Sequence, residues 1–214
     1  MSVKETVNLN EFYTVLEERR SVRIYDPSVK ISREELKEML ELATSAPSSS
    51  NLQPWRFLVI DDQNLKEQLL PIANNQQQVV DASAVIAVLG DLKSFEQADN
   101  IYAKAVEKGA MDEATKTAFV ERLVNMYGSL GPERLHQVNL FDAGLVSMQL
   151  MQIAKAKGYD TVPMGGFNAE KFAEAYALPE TLKPILLIAV GKASKAAHGT
   201  ARLPIDQITH WNTI

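Results

Sequence analysis

Ala46-Pro47-Ser48-Ser49-Ser50-Asn51-Leu52-Gln53-Pro54-Trp55 stands where one hydrophobic period ends and another begins. Upstream, Leu36, Met39, Leu40 and Ala43 recur at helical spacing behind Ser32-Arg33-Glu34-Glu35, which reads as a capping box. The helix stops where Pro47 approaches, because the residue before a proline is pushed out of the helical region. Downstream, Trp55 to Ile60 alternates and is β-branched, as a strand does. The ten residues between form a loop held by a helix on one side and a strand on the other, a common place for binding groups. They carry three hydroxyls and two amides beside an indole, and nothing ionisable. Such a set can hydrogen-bond the heteroatom edge of a flat heterocycle without fixing its charge, although a Ser/Asn/Pro run also suits any loop.

Working toward the N-terminus, residues 10–19 place Phe12, Val15 and Leu16 at helical spacing and deliver Arg19-Arg20-Ser21-Val22-Arg23 to the carboxyl end of the segment. Three guanidinium groups within five residues suit a phosphate, since each offers a planar, permanently charged fork of donors. The same cluster suits a solvated face that complements the negative end of a helix dipole. Toward the C-terminus the pattern predicts a helix after Asp62 to about Leu70, then an irregular polar stretch from Asn74 to Gln78. A fully apolar strand follows over residues 84–89, then two helices between Phe95 and Asn125 that separate near Gly109. Residues 135–157 form the longest helical pattern and carry few charges between Leu140 and Ile153. A helix apolar around most of its circumference is buried on most sides, in the domain centre or between subunits, and Gly158 is a natural stop for it. A Pro163-Met164-Gly165-Gly166 turn, a short helix after Asn168 and a strand over residues 185–190 complete the order. The tail from Gly191 to Ile214 holds Leu203, Pro204, Ile205, Ile208 and Trp211, too apolar for solvated disorder, so a partner subunit is expected to cover it.

At 214 residues and 46% hydrophobic, with no repeat or linker, the chain reads as one domain over residues 1–214. A net charge of -5 argues against non-specific nucleic-acid binding, and the arginines against that acidic background suit one small anion. Cysteine is absent, which excludes disulfides, thiolate chemistry and sulfur-ligated metals, and His136, His198 and His210 lack metal-ligand spacing. Met1 to Asn10 lacks the apolar core of a secretory signal and no apolar run is long enough to span a bilayer, so a cytoplasmic protein is expected.

The arginine motif, the run from Pro47 to Trp55, Val162-Pro163-Met164-Gly165-Gly166-Phe167 and Ala201-Arg202-Leu203-Pro204 occur in an order that resembles the nitroreductase family of flavin mononucleotide (FMN) enzymes. The resemblance covers nearly the whole chain. It implies an α+β fold with a central mixed β-sheet wrapped by helices, in an intertwined homodimer with two FMN sites at the interface, each built from both chains. It implies that Arg19, Arg20, Ser21 and Arg23 meet the phosphate, ribityl and pyrimidine side of the flavin, with Arg202 completing the phosphate clamp. Pro47, Ser48, Ser49, Ser50, Asn51 and Gln53 match the segment lent by the second subunit. Pro163, Met164, Gly165 and Gly166 match the turn against the flavin's central ring, where a backbone N–H tunes N5. Alignment on Asp81-Ala82-Ser83 places Asn75 near the pyrimidine edge. Gln78 stands where some members carry lysine, and Gly165 where the same members carry an acidic residue, so substrate does not transfer from that subgroup.

The activity implied is ping-pong: NADH or NADPH gives hydride to flavin N5 and leaves, and a nitroaromatic, quinone or similar flat acceptor is then reduced in the same place. No catalytic side chain is required, because the cofactor carries the electrons. Phe119, Met126 and Tyr127, in the charged helical stretch, are expected to form a lid facing the acceptor. Alternatives are a flavin-binding or sensory dimer with little turnover, or a superfamily member with dehalogenase or flavin-breakdown chemistry.

Overall fold

Strand β2 (Ala84–Asp91) organises the fold, because seven of its eight residues are buried and its two faces look into different cores. A computed structural model describes residues 9–214, with side chains from Glu11 onward. The reading of Met1 to Asn10 therefore falls outside the described residues apart from the backbone of the last two. Around β2 lie β1 (Trp55–Ile60), β4 (Leu182–Gly191) and β3 (Asp160–Met164), in the order β1-β2-β4-β3. Every neighbouring pair is antiparallel. The parallel component of the expected mixed sheet is confined to one isolated bridge, Ser21 to Thr161 on the outer side of β3.

Side chains alternate across a strand, so Val85, Ala87 and Leu89 face one core while Ala84, Ile86 and Val88 face the other. The first core is closed by Leu69 and Ile72 of α3 (Gln63–Ile72) and Phe172 of α8 (Ala169–Ala175). The second is closed by Leu36, Met39 and Ala43 of α2 (Arg33–Ala43) and by Ala143, Val146, Leu150 and Ala154 of α7 (Pro132–Ala156). A third cluster joins Leu52 to Ala98 of α5 (Ala98–Glu107) and to Leu123 and Tyr127 of α6 (Glu113–Gly128). The remaining α-helices among the described residues are α1 (Leu9–Glu18), which packs on α7, and the single turn α4 (Gln78–Asp81).

Helix ends follow local chemistry. Side chains of Ser32, Asp62, Asp112 and Asn168 accept from the amides of Glu35, Leu65, Thr115 and Lys171, and so satisfy otherwise orphaned donors. The expected capping box is only half formed, because the Glu35 carboxylate accepts from the Tyr159 hydroxyl at 2.9 Å. Gly158 follows α7 at φ +82°, a conformation that favours glycine.

Two elements depart from the sequence reading. Pro163 and Met164, expected in a turn, end strand β3 and pair with Ile188 and Leu187, so only Gly165 and Gly166 remain as the turn. An outer strand tolerates a proline because its missing N–H need not serve the ladder. Gln78, expected in the irregular polar stretch, opens α4. Lys66 is fully buried and donates to the carbonyls of Val80 and Ala82 at 3.0 and 2.6 Å, tying α3 to the end of α4.

The start of the tail is fixed, with Ala193 bridged to Tyr25 and the Ser194 amide bonded to the Ile24 carbonyl. Farther on, Leu203, Ile205, Ile208 and Trp211 are exposed, the last at 85%. The side of α7 away from the sheet likewise exposes Leu140, Phe141, Leu145 and Met148. Among the described residues no helix is long and apolar enough to cross a membrane.

Gly90 lies where β2 passes α7, and a Cβ there would stand 2.8 Å from Ile185 Cδ1 and 2.9 Å from Asn139 Cβ. Gly90→Ala is expected to lower stability by about 1–3 kcal/mol through overpacking, read as a shift in the urea unfolding midpoint.

Candidate functional site

The residues singled out from the sequence fall into two groups. One lies along the outer edge of β3. Residues 19–23 run beside that strand, the Ser21–Thr161 bridge and a bond from the Val22 amide to the Thr161 carbonyl setting their register. Arg19 is half-buried, its Nε has no hydrogen-bond partner among the described residues, and neither has the neighbouring Thr161 Oγ1. Arg20 and Arg23 are exposed, and among the described residues Arg20 bonds only the Arg19 carbonyl. Buried Tyr25 donates to the Ala189 carbonyl, and burial pushes its phenol far above the ordinary tyrosine value, so it stays neutral.

The amides before α4 meet the glycine turn at this edge. Asn74 Nδ2 and Gln76 Nε2 both donate to the Gly166 carbonyl, at 2.8 and 3.0 Å. Buried Gln78 donates to Gln76 Oε1 at 3.0 Å and lies 3.4 Å from Met164 Sδ. Asn74 and Asn75 both take φ +56°, which asparagine tolerates better than most residues, and Asn75 remains exposed. A Cβ on Gly165 would meet nothing within 4 Å, so the strand end faces open space. The arginine segment runs along the outer edge of β3 and the amides meet the glycine turn at the end of the same strand, with Gln78 buried and Asn75 exposed. Sequence reasoning missed Asn74 and Gln76, though their place in an amide-rich run was a signal.

The second group is the loop of residues 47–53, which carries three non-glycine residues in the left-handed region: Ser50 at φ +46°, Asn51 at +49° and Gln53 at +47°. Each costs conformational energy, so the surroundings must hold the loop in place. The Ser49 amide donates to both carboxylate oxygens of Asp142 on α7, at 3.0 and 3.1 Å, and its hydroxyl to Asp142 Oδ1 at 3.0 Å. Ser50 Oγ pairs with the Tyr127 hydroxyl at 3.1 Å, and Tyr102 donates to the Ser50 carbonyl. Ser48 Oγ accepts from the Gln53 amide, while Arg56 donates to the Gln53 carbonyl and pairs with Asp91 at 2.7 Å. All three serine hydroxyls thus have partners within the chain, and Pro47 and Asn51 are exposed beside them.

The residues expected to form a lid are distributed differently. Tyr127 is buried against Ser50, and Phe119 is half-buried edge-on to Tyr102, its centroid 4.9 Å away. Met126 alone of the three is exposed. The α5–α6 pair is thereby fastened to the polar loop through Leu52, Tyr102 and Tyr127.

Within one chain the two groups stay apart, and α7 serves as a ruler. The loop sits on Asp142, whereas Glu18, beside the arginines, pairs with Lys155 at 3.8 Å. Thirteen residues of helix separate these contacts, about 20 Å at 1.5 Å per residue. Arg202 is in neither group: among the described residues it bonds only the adjacent Ala201 carbonyl. No cluster of His, Asp or Glu among the described residues could hold a metal.

This architecture has known counterparts. The model of the nitroreductase family matches residues 16–192, and the chain belongs to that family. It is 47% identical over 207 residues to YdgI of Bacillus subtilis, provisionally named as an NAD(P)H nitroreductase, covering 96% of this chain and 99% of that one. A provisionally named nitroreductase from Exiguobacterium sibiricum, crystallised in complex with FMN, superposes with a TM-score of 0.90 at 47% identity, covering 94% and 97% of the two chains. A protein from Staphylococcus epidermidis, provisionally named as an NAD(P)H:FMN oxidoreductase, gives 0.92 at 38% identity over 98% and 100%.

Asp142 is 2% exposed, and burial raises its carboxyl above the ordinary aspartate value of 3.8 despite the opposing Ser49 bonds. An acid whose pKa is raised by folding contributes most below its unfolded pKa and loses that contribution as pH rises through its folded one. Asp142→Asn cannot titrate, so its stability relative to wild type is expected to rise as pH increases above the ordinary aspartate range of about 4, measured by urea unfolding at a series of pH values.

Proposed function

We propose that the chain is one domain over residues 1–214 that acts as a homodimeric, FMN-dependent NAD(P)H oxidoreductase of the cytoplasm, reducing nitroaromatics, quinones or related flat acceptors. The observation that carries this reading is the separation of two complementary half-sites. A cationic edge, whose Arg19 Nε has no partner among the described residues, and a prearranged loop of amides and hydroxyls lie about 20 Å apart along one helix.

A second copy supplies what one chain lacks. Between the two anchoring positions, Asp142 and Lys155, α7 exposes Leu145 and Met148. Two α7 helices crossing antiparallel near residue 148 would bring the loop on one copy's Asp142 toward the other's Lys155, and hence toward its arginines. A twofold contact makes both sites at once, since the same surface serves both partners. Tail residues Leu203, Ile205, Ile208 and Trp211 are exposed apolar surface that the same partner would cover, carrying Arg202 with them.

The residues present fit FMN. Among the described residues Arg19 Nε and Thr161 Oγ1 lack partners, and Arg19, Arg20, Ser21, Arg23 and Arg202 of the tail supply charge and donors for a phosphate and ribityl chain. Asn75 and the loop of residues 47–53 offer neutral donors and acceptors for the ring edge, and open space beside Gly165 admits a flat ring against the backbone. When bound, FMN supplies the hydride chemistry that couples NAD(P)H oxidation to acceptor reduction in a ping-pong cycle. The chain's residues position it and set the surrounding field. Arginines near the pyrimidine edge favour negative charge there, whereas neutral Gln78 adds no cation. Met126, exposed on the α6 surface, is the expected lid residue best placed to meet an acceptor.

The purified protein is expected to be yellow and to bleach anaerobically with NADH or NADPH, recovering on addition of a quinone or nitroaromatic. Bound flavin that never bleaches would favour a binding or sensory role, and no FMN uptake would remove the flavin reading. Arg19→Ala and Arg202→Ala are each expected to weaken FMN retention about tenfold or more, as loss of a charge-assisted hydrogen bond does, measured by fluorescence titration. Leu145→Glu is expected to lose dimerisation and FMN together, by sedimentation and absorbance; a monomer that keeps FMN would refute the shared site.

A further inference from the structure

Asp142 takes no part in the flavin contacts inferred from the sequence, yet every described interaction of its side chain ends on Ser49. It is 2% exposed, and burial disfavours its charged form. Among the described residues the carboxylate is met by the Ser49 amide and hydroxyl and by no cationic side chain. A buried charge without a counter-ion is costly, and a neutral side chain would pack there at less expense. Its position is informative: Ser49 immediately precedes Ser50 and Asn51, the first two of the three left-handed residues.

We propose that Asp142 is a positioning residue of the flavin site, holding residues 48–53 in their strained conformation by gripping Ser49. The inference rests on the reading that FMN seats against that loop. The carboxylate fixes the Ser49 amide from the α7 side, while Tyr127 and Tyr102 hold Ser50 from the α5–α6 side and Arg56 holds the Gln53 carbonyl. Together they set the path of Ser50 and Asn51 before any ligand arrives, so that binding does not have to order the loop. A second consequence concerns Ser49 itself. Its hydroxyl hydrogen is committed to Asp142, so Ser49 anchors the loop and does not donate to the flavin.

The test compares Asp142→Ala, Asp142→Asn, Ser49→Ala and the Asp142→Ala/Ser49→Ala double variant. Two readouts serve: amide hydrogen exchange of residues 49–53 in the FMN-free protein, and the FMN dissociation constant. Asp142→Ala is expected to speed exchange at the Ser49 amide and weaken FMN binding about tenfold or more. Asp142→Asn keeps an acceptor for Ser49 and is expected to recover most of that loss without restoring the charge. Ser49→Ala should cost less than Asp142→Ala, and the double variant should be no worse than Asp142→Ala alone. Unchanged exchange and FMN affinity in Asp142→Ala would overturn the proposal, as would equal losses in the Asn and Ala variants. If Asp142→Ala fails to fold, Ser49→Ala decides: exchange and affinity both matching wild type would overturn the proposal. A wild type that takes up no FMN would defeat the functional reading, while hydrogen exchange would still report on the Asp142 grip.

Discussion

The burial of β2 on both faces is the constraint from which the rest of the structure follows. A strand with one wet face needs a single covering layer, whereas this one needs helices on both sides. Helix α7 closes one core with Val146, Leu150 and Ala154, and α3 and α8 close the other. With β2 and β4 in the centre, β1 and β3 become the outer strands. Both groups of site residues attach there, the polar loop leading into β1 and the arginines running beside β3.

The scaffold serves each group differently. At the β3 edge a side-chain lattice of Asn74, Gln76 and Gln78 converges on Gly166 and Met164, so the glycine turn is held from one side and open on the other. At the polar loop the backbone itself is strained and its hydroxyls are occupied in keeping it so. Interior hydrogen-bond partners thus hold the loop's shape, while its outer surface is left for recognition. Left-handed backbone at three non-glycine positions is costly, and a loop without function would have little reason to keep it. The neutral phenol of Tyr25 and the buried ammonium of Lys66 are structural counterparts, each satisfied by backbone carbonyls.

Much of the fold was legible in the sequence because its signals are local. Ser32, Asp62 and Asn168 announced helix starts through a side chain reaching an amide three residues away, and Gly158 announced a stop through its backbone freedom. Strand β3 was hidden because it is short, carries a proline one residue before its end and runs straight into the glycine turn. The four motifs pointed to the family, which the match over residues 16–192 bears out, yet they did not say where Phe119 and Tyr127 would lie. Helical spacing leaves an aromatic residue's neighbours open, and here they belong to the polar loop.

By itself the sequence determined the period of each element, most of their ends, the acidic balance around a small arginine cluster, and the family. Only the tertiary structure decided that Asp142, 93 residues from Ser49, would grip it, and that three motifs would gather at the β3 edge while the polar loop lay far along α7. The physical reason is range. Capping and periodicity act over three or four residues and are written into neighbouring letters. The pairing of a buried carboxylate with a distant serine depends on how helices pack against both faces of a sheet, which no local pattern encodes.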